Sequence, residues 1–425
     1  MKKIVRFSVF FLLFGFYNCF SQSIWISQYS GTSNVFRYVQ FLDSQTGWAT
    51  GWYGATVKTT NGGTNWVPLN TGTSTCFTSV FFVNNLTGWL SGGSMADGIA
   101  YIQKTTNGGN TWFNVHSSNL GLVFRTVFVS QNTGYSVTSK GFIMKSTDGG
   151  SGWSILYSNS NNIYTNCFFV DINTGWVIGD NGVILKTTNG GSSFVSQASG
   201  TNSNLEGIHF ISSNTGFVSS SLGNLLKTTN GGTNWTNKLT GSYLWLNSVY
   251  FANNNTGWLT GGDVMFLDNI KANSVSQILK STDCGETWMQ QSSPTSSFLC
   301  SVTFANSQTG WAVGSNGTIL KTTNGGAVFV QNISSEKPSK IFLNQNYPNP
   351  FNPVTFIRLG IPFSSNIKLN VFDVNGRLVE NLYDGNITAG AFEFKWDASN
   401  FSSGIYFAKL ESEGYSEIKK MTLIK

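Results

Sequence analysis

Downstream of residue 23, apolar and polar positions alternate in short runs closed by Gly, Asn, Ser or Thr, and the whole arrangement keeps returning. A Gly-aromatic pair marks each return: Gly47-Trp48, Gly88-Trp89, Gly134-Tyr135, Gly175-Trp176, Gly216-Phe217, Gly257-Trp258 and Gly310-Trp311, in steps of 41, 46, 41, 41, 41 and 53 residues. Ahead of each pair lies a β-patterned run with Phe in one fixed column, at Phe41, Phe82, Phe128, Phe169, Phe210, Phe251 and Phe304. After it comes a lysine in register, at Lys58, Lys104, Lys145, Lys186, Lys227, Lys280 and Lys321. Each unit closes on Trp66, Trp112, Trp153, Phe194, Trp235, Trp288 or Phe329. Every unit therefore predicts four short strands: the Phe run, the Gly-aromatic run, the lysine run and the closing aromatic. Strands at this spacing, repeated at this period, are the pattern of a β-propeller blade. Seven units predict a seven-bladed ring. Both faces of a blade pack on neighbours, which accounts for apolar residues flanking the Phe column at Phe81, Phe168 and Tyr250.

The turn between the third and fourth predicted strands reads Ser/Thr-x-Asn/Asp-x-Gly-x-x-Trp/Phe, from Thr59, Asn61, Gly63 and Trp66 in the first unit to Ser281, Asp283, Gly285 and Trp288 in the sixth. A short polar side chain can bond the amides of its own turn, and glycine permits a positive φ. This turn resembles the Asp-box repeats of sialidases, sortilin-type receptors and xyloglucanases. The longer phrase at residues 310–326 is most similar to the photosystem II stability/assembly-factor propellers. The resemblance implies the fold over residues 24–333, and in those families the box is a structural turn. Two segments could close the ring. Ile24-Trp25-Ile26-Ser27-Gln28 aligns with Ser193-Phe194-Val195-Ser196-Gln197, yet the seventh unit has its own complete turn leading to Phe329. The in-line choice is Phe329 as the fourth strand of the last blade, with Trp25 packed beside it.

Charge changes the picture little. The chain of 425 residues carries a formal +6 with only 10% charged residues and 15% aromatics, but residues 23–333 hold twelve Lys/Arg against ten Asp/Glu, and most of the surplus sits at the two ends. Sparse charge with dense aromatics argues for an all-β protein and against disorder. A near-neutral ring argues against nucleic acid or anionic membrane as a partner. At the N-terminus Lys2, Lys3 and Arg6 precede an apolar run from Phe7 to Phe16 and the Cys19-Phe20-Ser21 stretch, so residues 1–21 are expected to be a signal peptide. No later run is long enough to span a bilayer, so no membrane-spanning segment is expected in the mature chain. Cys76, Cys167, Cys284 and Cys300 show no paired spacing and read as core or turn residues.

Composition shifts after Ile333, where five of the seven prolines fall between Pro338 and Pro362. A linker over 334–342 and a second domain over 343–425 are expected after the propeller at 22–333. Alternating runs such as residues 367–373 and the Asn375-Gly376 hairpin signal predict a small immunoglobulin-like antiparallel β-sandwich. The Leu343–Pro353 stretch, Ser403–Phe407 and the closing Lys419–Lys425 resemble the type A C-terminal sorting domain of the type IX secretion system. That resemblance implies passage through the periplasm, recognition by the type IX machinery through residues 343–425, and a secreted or outer-cell-surface destination.

The chemistry of an enzyme is thin. Sialidase chemistry needs an arginine cluster and a Tyr/Glu pair, and the propeller holds only Arg37 and Arg125. His116 and His209 stand far apart without a ligand cluster, so no metal site is expected, and no phosphate or dinucleotide fingerprint points to a cofactor. His209 reads as a satisfied strand histidine, and the lysine column as stems along blade edges. Departures from the period say more. The second unit has five extra residues and the sixth has twelve, at 91–101 and 261–277, on one expected rim. They carry Asp97, Asp263 and Asp268 with Met95, Met265 and Phe266, weak acid/base candidates whose bland reading is solvated loop acids. Trp52 and Tyr53 occupy a loop tip where sibling units have Asp180-Asn181 or Ser315-Asn316, and with Trp245 and Phe266 they are ligand-binding candidates, the alternative being packing against an insertion. The expected function is a non-enzymatic binding module for a glycan or protein. A xyloglucanase-like glycoside hydrolase and an extracytoplasmic assembly factor are the alternatives.

Overall fold

A computed structural model describes residues 25–425 apart from 95–97, 264–274, 327–328, 335–337, 388 and 399–400. Seven four-stranded antiparallel sheets follow one another along the chain, and two further sheets form the C-terminal domain. The first blade shows the pattern: Phe36–Phe41, Gly47–Gly51, Thr56–Thr59 and Val67–Pro68 pair in sequence order. The next five blades run the same way.

Aromatic stacking explains why these residues form this ring. In each blade the column Phe lies flat against the aromatic of the Gly-aromatic pair of the preceding blade, with ring centroids between 3.4 Å for Phe41 and Trp311 and 4.0 Å for Phe251 and Phe217. A closing tryptophan then meets the same Phe edge-on, as Trp66 does on Phe41 at 5.7 Å, whereas Phe194 of the fourth blade meets Tyr157 of the third. Such pairs contribute about 0.5–1.5 kcal/mol beyond their burial. The ring of Phe41 covers Gly47 so closely that a Cβ there would sit 2.6 Å from it, which is why the residue before the aromatic is glycine.

The Asp-box turn is a closed hydrogen-bond unit. Thr59 Oγ1 donates to Asn61 Oδ1 at 3.0 Å and accepts from the Gly63 amide at 2.8 Å, while the Asn65 amide donates to Asn61 Oδ1 at 2.9 Å. Its outward carbonyl is used by the preceding blade. Trp48 Nε1 and Lys58 Nζ both donate to the carbonyl of Gly108, at 3.3 and 3.0 Å, with the ammonium 5.2 Å above the Trp48 ring. The lysine column is thus a set of interblade clamps.

Ring closure differs from the in-line expectation. Ile26–Gln28 pairs with Ile319–Thr322 and completes the seventh blade. Trp25 takes the closing-aromatic slot, edge-on to Phe304 at 5.7 Å, and its Nε1 donates to Gln291 Oε1 at 3.0 Å. Phe329–Ser334 instead pairs with Gly390–Asp397 in the C-terminal domain. The physical reason is that the Trp25–Gln28 run presents the same contacts as Phe194–Gln197: Gln28 reaches the Gly62 carbonyl as Gln197 reaches that of Gly231.

The C-terminal domain is a sandwich of two antiparallel sheets. One joins Phe329–Ser334, Gly390–Asp397, Val354–Ile361 and Phe342–Leu343, and the other Leu378–Ile387, Ser365–Asp373, Gly404–Ser412 and Tyr415–Leu423. Alternating inward residues, among them Ile357, Leu359, Leu369, Val371, Phe394, Trp396 and Leu410, form its core. Among the described residues no helix is long and apolar enough to cross a membrane.

Candidate functional site: the axial pocket

Every inner strand of the propeller carries a β-bulge at one position. The register slips between Phe36 and Tyr38, Phe77 and Ser79, Val123 and Arg125, Tyr164 and Asn166, Leu205 and Gly207, Leu246 and Ser248, and Leu299 and Ser301. A bulge leaves one residue unpaired and re-aims its side chain. The seven skipped residues are Arg37, Thr78, Phe124, Thr165, Glu206, Asn247 and Cys300, and all seven line one cavity of about 310 Å³ on the ring axis. Because Phe36 pairs with Gly51, the inner strands start at the rim that carries the loops between second and third strands. Ile163, Asp180 and Asn204 add that rim to the lining, so the pocket opens on the loop-bearing face.

Its charges are spread around the wall. Arg125 is occupied: its guanidinium lies 3.9 Å above the Tyr38 ring and donates to Ser79 Oγ at 3.1 Å. Arg37 reaches the Cys300 sulfur at 3.9 Å. Burial pushes the Glu206 carboxyl up to about 7, with Asp180 adding to the rise, while Arg37 and a hydrogen bond from Trp245 hold it back. Burial also raises Asp180. Burial raises the Cys300 thiol too, against the opposing pull of Arg37.

The expected site residues are distributed unevenly. Trp245 lines the pocket. Trp52 and Tyr53 form a short 3-10 turn at the rim of the first blade, Trp52 half-buried and Tyr53 68% exposed. Tyr53 has φ 57°, the left-handed conformation that Asn181 and Asn316 adopt at the same place. Asp263 is exposed at the base of its insertion, where its amide donates to the Val275 carbonyl. Asp97, Asp268, Phe266, Met95 and Met265 lie outside the described residues, as does the expected signal peptide. His209 sits between the rings of Phe168 and Tyr250, at 5.3 and 4.9 Å, and burial holds it neutral with a pKa lowered to about 4. His116 pairs locally with Ser118 Oγ at 2.9 Å. Among the described residues no cluster of metal-ligating side chains is present, and Cys76, Cys167, Cys284 and Cys300 are free thiols.

Sequence reasoning missed Glu206, Asp180, Asn247 and Cys300. The signal was available: four residues before the Phe column, directly after a position that is apolar or aromatic in every repeat, the repeats disagree in size and charge.

Comparison with known proteins agrees with this architecture. The family described as photosynthesis system II assembly factor YCF48 matches residues 119–198, and the secretion system C-terminal sorting domain family matches residues 345–425. No curated protein matches the chain. Among solved structures, YCF48 bound to D1 peptide is 20% identical, with 71% of this chain and 98% of that one covered at a TM-score of 0.59. YCF48 from Cyanidioschyzon merolae is also 20% identical, covering 70% and 98% at 0.58. PorZ, a surface component of the type IX secretion system of Porphyromonas gingivalis, is 14% identical, covering 94% of this chain and 60% of that one at 0.50. At these identities the likeness is one of fold. The tail indicates engagement of the secretion machinery and a secreted or outer-surface location. The chain is therefore a seven-bladed Asp-box propeller resembling the photosystem II assembly factors, joined to a C-terminal sorting domain of the type IX secretion kind.

Proposed function

We propose that this protein is an exported, non-enzymatic binding module that takes a glycan or protein ligand at the cell surface through its loop-bearing face, with the axial pocket at the centre. One observation carries the reading: seven in-register bulges turn one side chain from every blade into a single cavity that mixes charged, polar and apolar groups. Each bulge leaves one residue of an inner strand unpaired and re-aims its side chain, a device found next to binding and active sites. Tyr53 adds support, since a bulky residue held at positive φ and left exposed is an outlier in both respects. A similar propeller has been solved bound to a peptide. Probing glycan and peptide arrays with the full chain, its Arg37→Gln variant and its Tyr53→Asn variant tests the reading. Binding by wild type that drops at least tenfold in either variant is expected, and silence on both arrays would overturn it.

A second reading has its own support. Glu206, poised near 7 beside Asp180, is the environment of a general acid, as a xyloglucanase-like hydrolase would need. Release of sugar from polysaccharide by wild type, abolished in Glu206→Gln, would establish catalysis in place of simple binding.

A further inference from the structure

We propose that the axial pocket binds a small dipolar ligand of the α-amino-acid class, its carboxylate on Arg37 and its ammonium group between Glu206 and Asp180. The proposal rests on the axial pocket being the binding site and names what enters it. Charge placement is the argument. In a ring of seven, the fourth and fifth blades stand across the axis from the first. Arg37 comes from the first blade, Asp180 and Glu206 from the fourth and fifth, and all three line one cavity. Among the described residues no ion pair joins Arg37 to either carboxyl group. The opposite charges therefore face each other across open space.

Each wall lacks its natural partner. Arg37 contacts a sulfur, a weak acceptor, where a guanidinium fork suits the paired oxygens of a carboxylate. Arg125 is already held by Tyr38 and Ser79, so it leaves that task to Arg37. On the other side two carboxyl groups line the same wall, both raised by burial and Glu206 further by the charge of Asp180, a condition a cation relieves. A purely anionic ligand would meet Asp180 and Glu206, and a purely cationic one would meet Arg37. Only a ligand with both ends charged is matched by both walls. Trp245, Phe124 and Ile163 give an apolar flank for a side chain, and about 310 Å³ suits a single small molecule or one residue-sized group.

Binding should carry a proton signature. The groups facing Glu206 are Arg37 from the first blade, Asp180 from the fourth and Trp245 from the sixth, with Arg125 and Tyr38 on the remaining wall. An ammonium group beside Glu206 favours its ionised form, so binding releases the proton held in the empty pocket. With Glu206 near 7, the competent ionised fraction rises from about 0.1 at pH 6 to about 0.9 at pH 8, and affinity rises about tenfold.

The test is a thermal-shift screen of the common α-amino acids against the full chain. Calorimetry of the best binder, its N-acetyl derivative and its carboxamide follows at pH 6 and pH 8. One or more amino acids should bind, both derivatives should bind at least tenfold more weakly, and affinity should rise with pH. Glu206→Gln should remove the pH dependence, and Arg37→Gln the preference for carboxylate over carboxamide, each with the fold checked by its melting curve. Asp180→Asn, which leaves the Trp245 bond to Glu206 in place, should also weaken the parent amino acid. No binder in the screen, a derivative binding as tightly as its parent, or affinity falling between pH 6 and pH 8 would each overturn the proposal. Such a failure alongside an array ligand that is lost in Tyr53→Asn would leave the broader binding role intact.

Discussion

Trp311 of the seventh blade lies flat on Phe41 of the first, with centroids 3.4 Å apart and planes 6° apart, so the seam of the ring is packed like every other interblade contact. On the other face of the seventh blade, against the sixth, the packing depends on Trp25, which lies with Phe304 and Trp258. Trp25→Ala should cost about 3–5 kcal/mol, the usual range for emptying a large aromatic site. Trp25→Phe should recover much of it, since Phe194 fills the corresponding place in the fourth blade. Urea unfolding of the two variants checks both expectations. A chain ending at Gly326 should still give the near-ultraviolet dichroism of a closed ring, because the strand after it pairs with the sorting domain.

Tyr53→Asn should stabilise the protein by about 1 kcal/mol, the relief of left-handed strain on a bulky residue. Asn181 and Asn316 adopt the same φ without that cost. The same substitution should weaken ligand capture. A melting temperature that rises while array binding falls is the signature to look for; a fall in both would show that Tyr53 packs the rim.

Thr187→Ala should cost about 1–2 kcal/mol, because Thr187 Oγ1 both donates to Asn189 Oδ1 and accepts from the Gly191 amide in its turn. It should leave ligand affinity unchanged. Equilibrium unfolding and array binding on the same preparation separate the two effects.

Cys284 stands where the other Asp-box turns have glycine, at φ 61°. Cys284→Gly should therefore stabilise by up to about 1 kcal/mol. The Lys227 clamp onto its carbonyl should persist, since that bond uses the backbone. Chemical denaturation midpoints measure the gain.

Glu206 gives a pH dependence with a definite sign. Its folded-state pKa of about 7 exceeds the ordinary 4.5, so below about 4.5 both states hold the proton and burial of the group costs nothing. As pH rises through 7 the folded state must carry a desolvated charge and that contribution is lost. Without ligand, Glu206→Gln should match wild type near pH 4.5 and melt higher than wild type at pH 8. Equal melting temperatures at pH 8 would place Glu206 in a solvated setting.

The fold was legible because its determinants repeat. Phe41 needs Gly47 beneath it and Trp311 above it, and the same three-residue requirement recurs blade after blade, so the sequence displays it seven times. Trp25 is legible as a copy of Phe194, but chain order favours Phe329 for the same slot. No rule of composition says that an amino-terminal strand outcompetes one already in line. The pocket was hidden for the opposite reason. Arg37, Glu206 and Cys300 share a column in the repeat, but only the bulges turn that column toward the axis, and their side chains have nothing in common to reveal it. Arg37 and Arg125 looked too few to make a site, yet both line the same one.

The pairing of Ile26 with Lys321 also sets an order of events. The ends of the propeller must find each other across nearly its full sequence, an entropic and kinetic demand that local blade formation does not share. Blades one to six can assemble as the chain emerges, each from its own contiguous strands. The last gap stays open until the seventh repeat has appeared, and the sorting domain follows directly behind. A chain emerging in order thus carries an incomplete wheel almost to the moment its address label is made, with the sealing strand among the first segments synthesised and among the last to find its place.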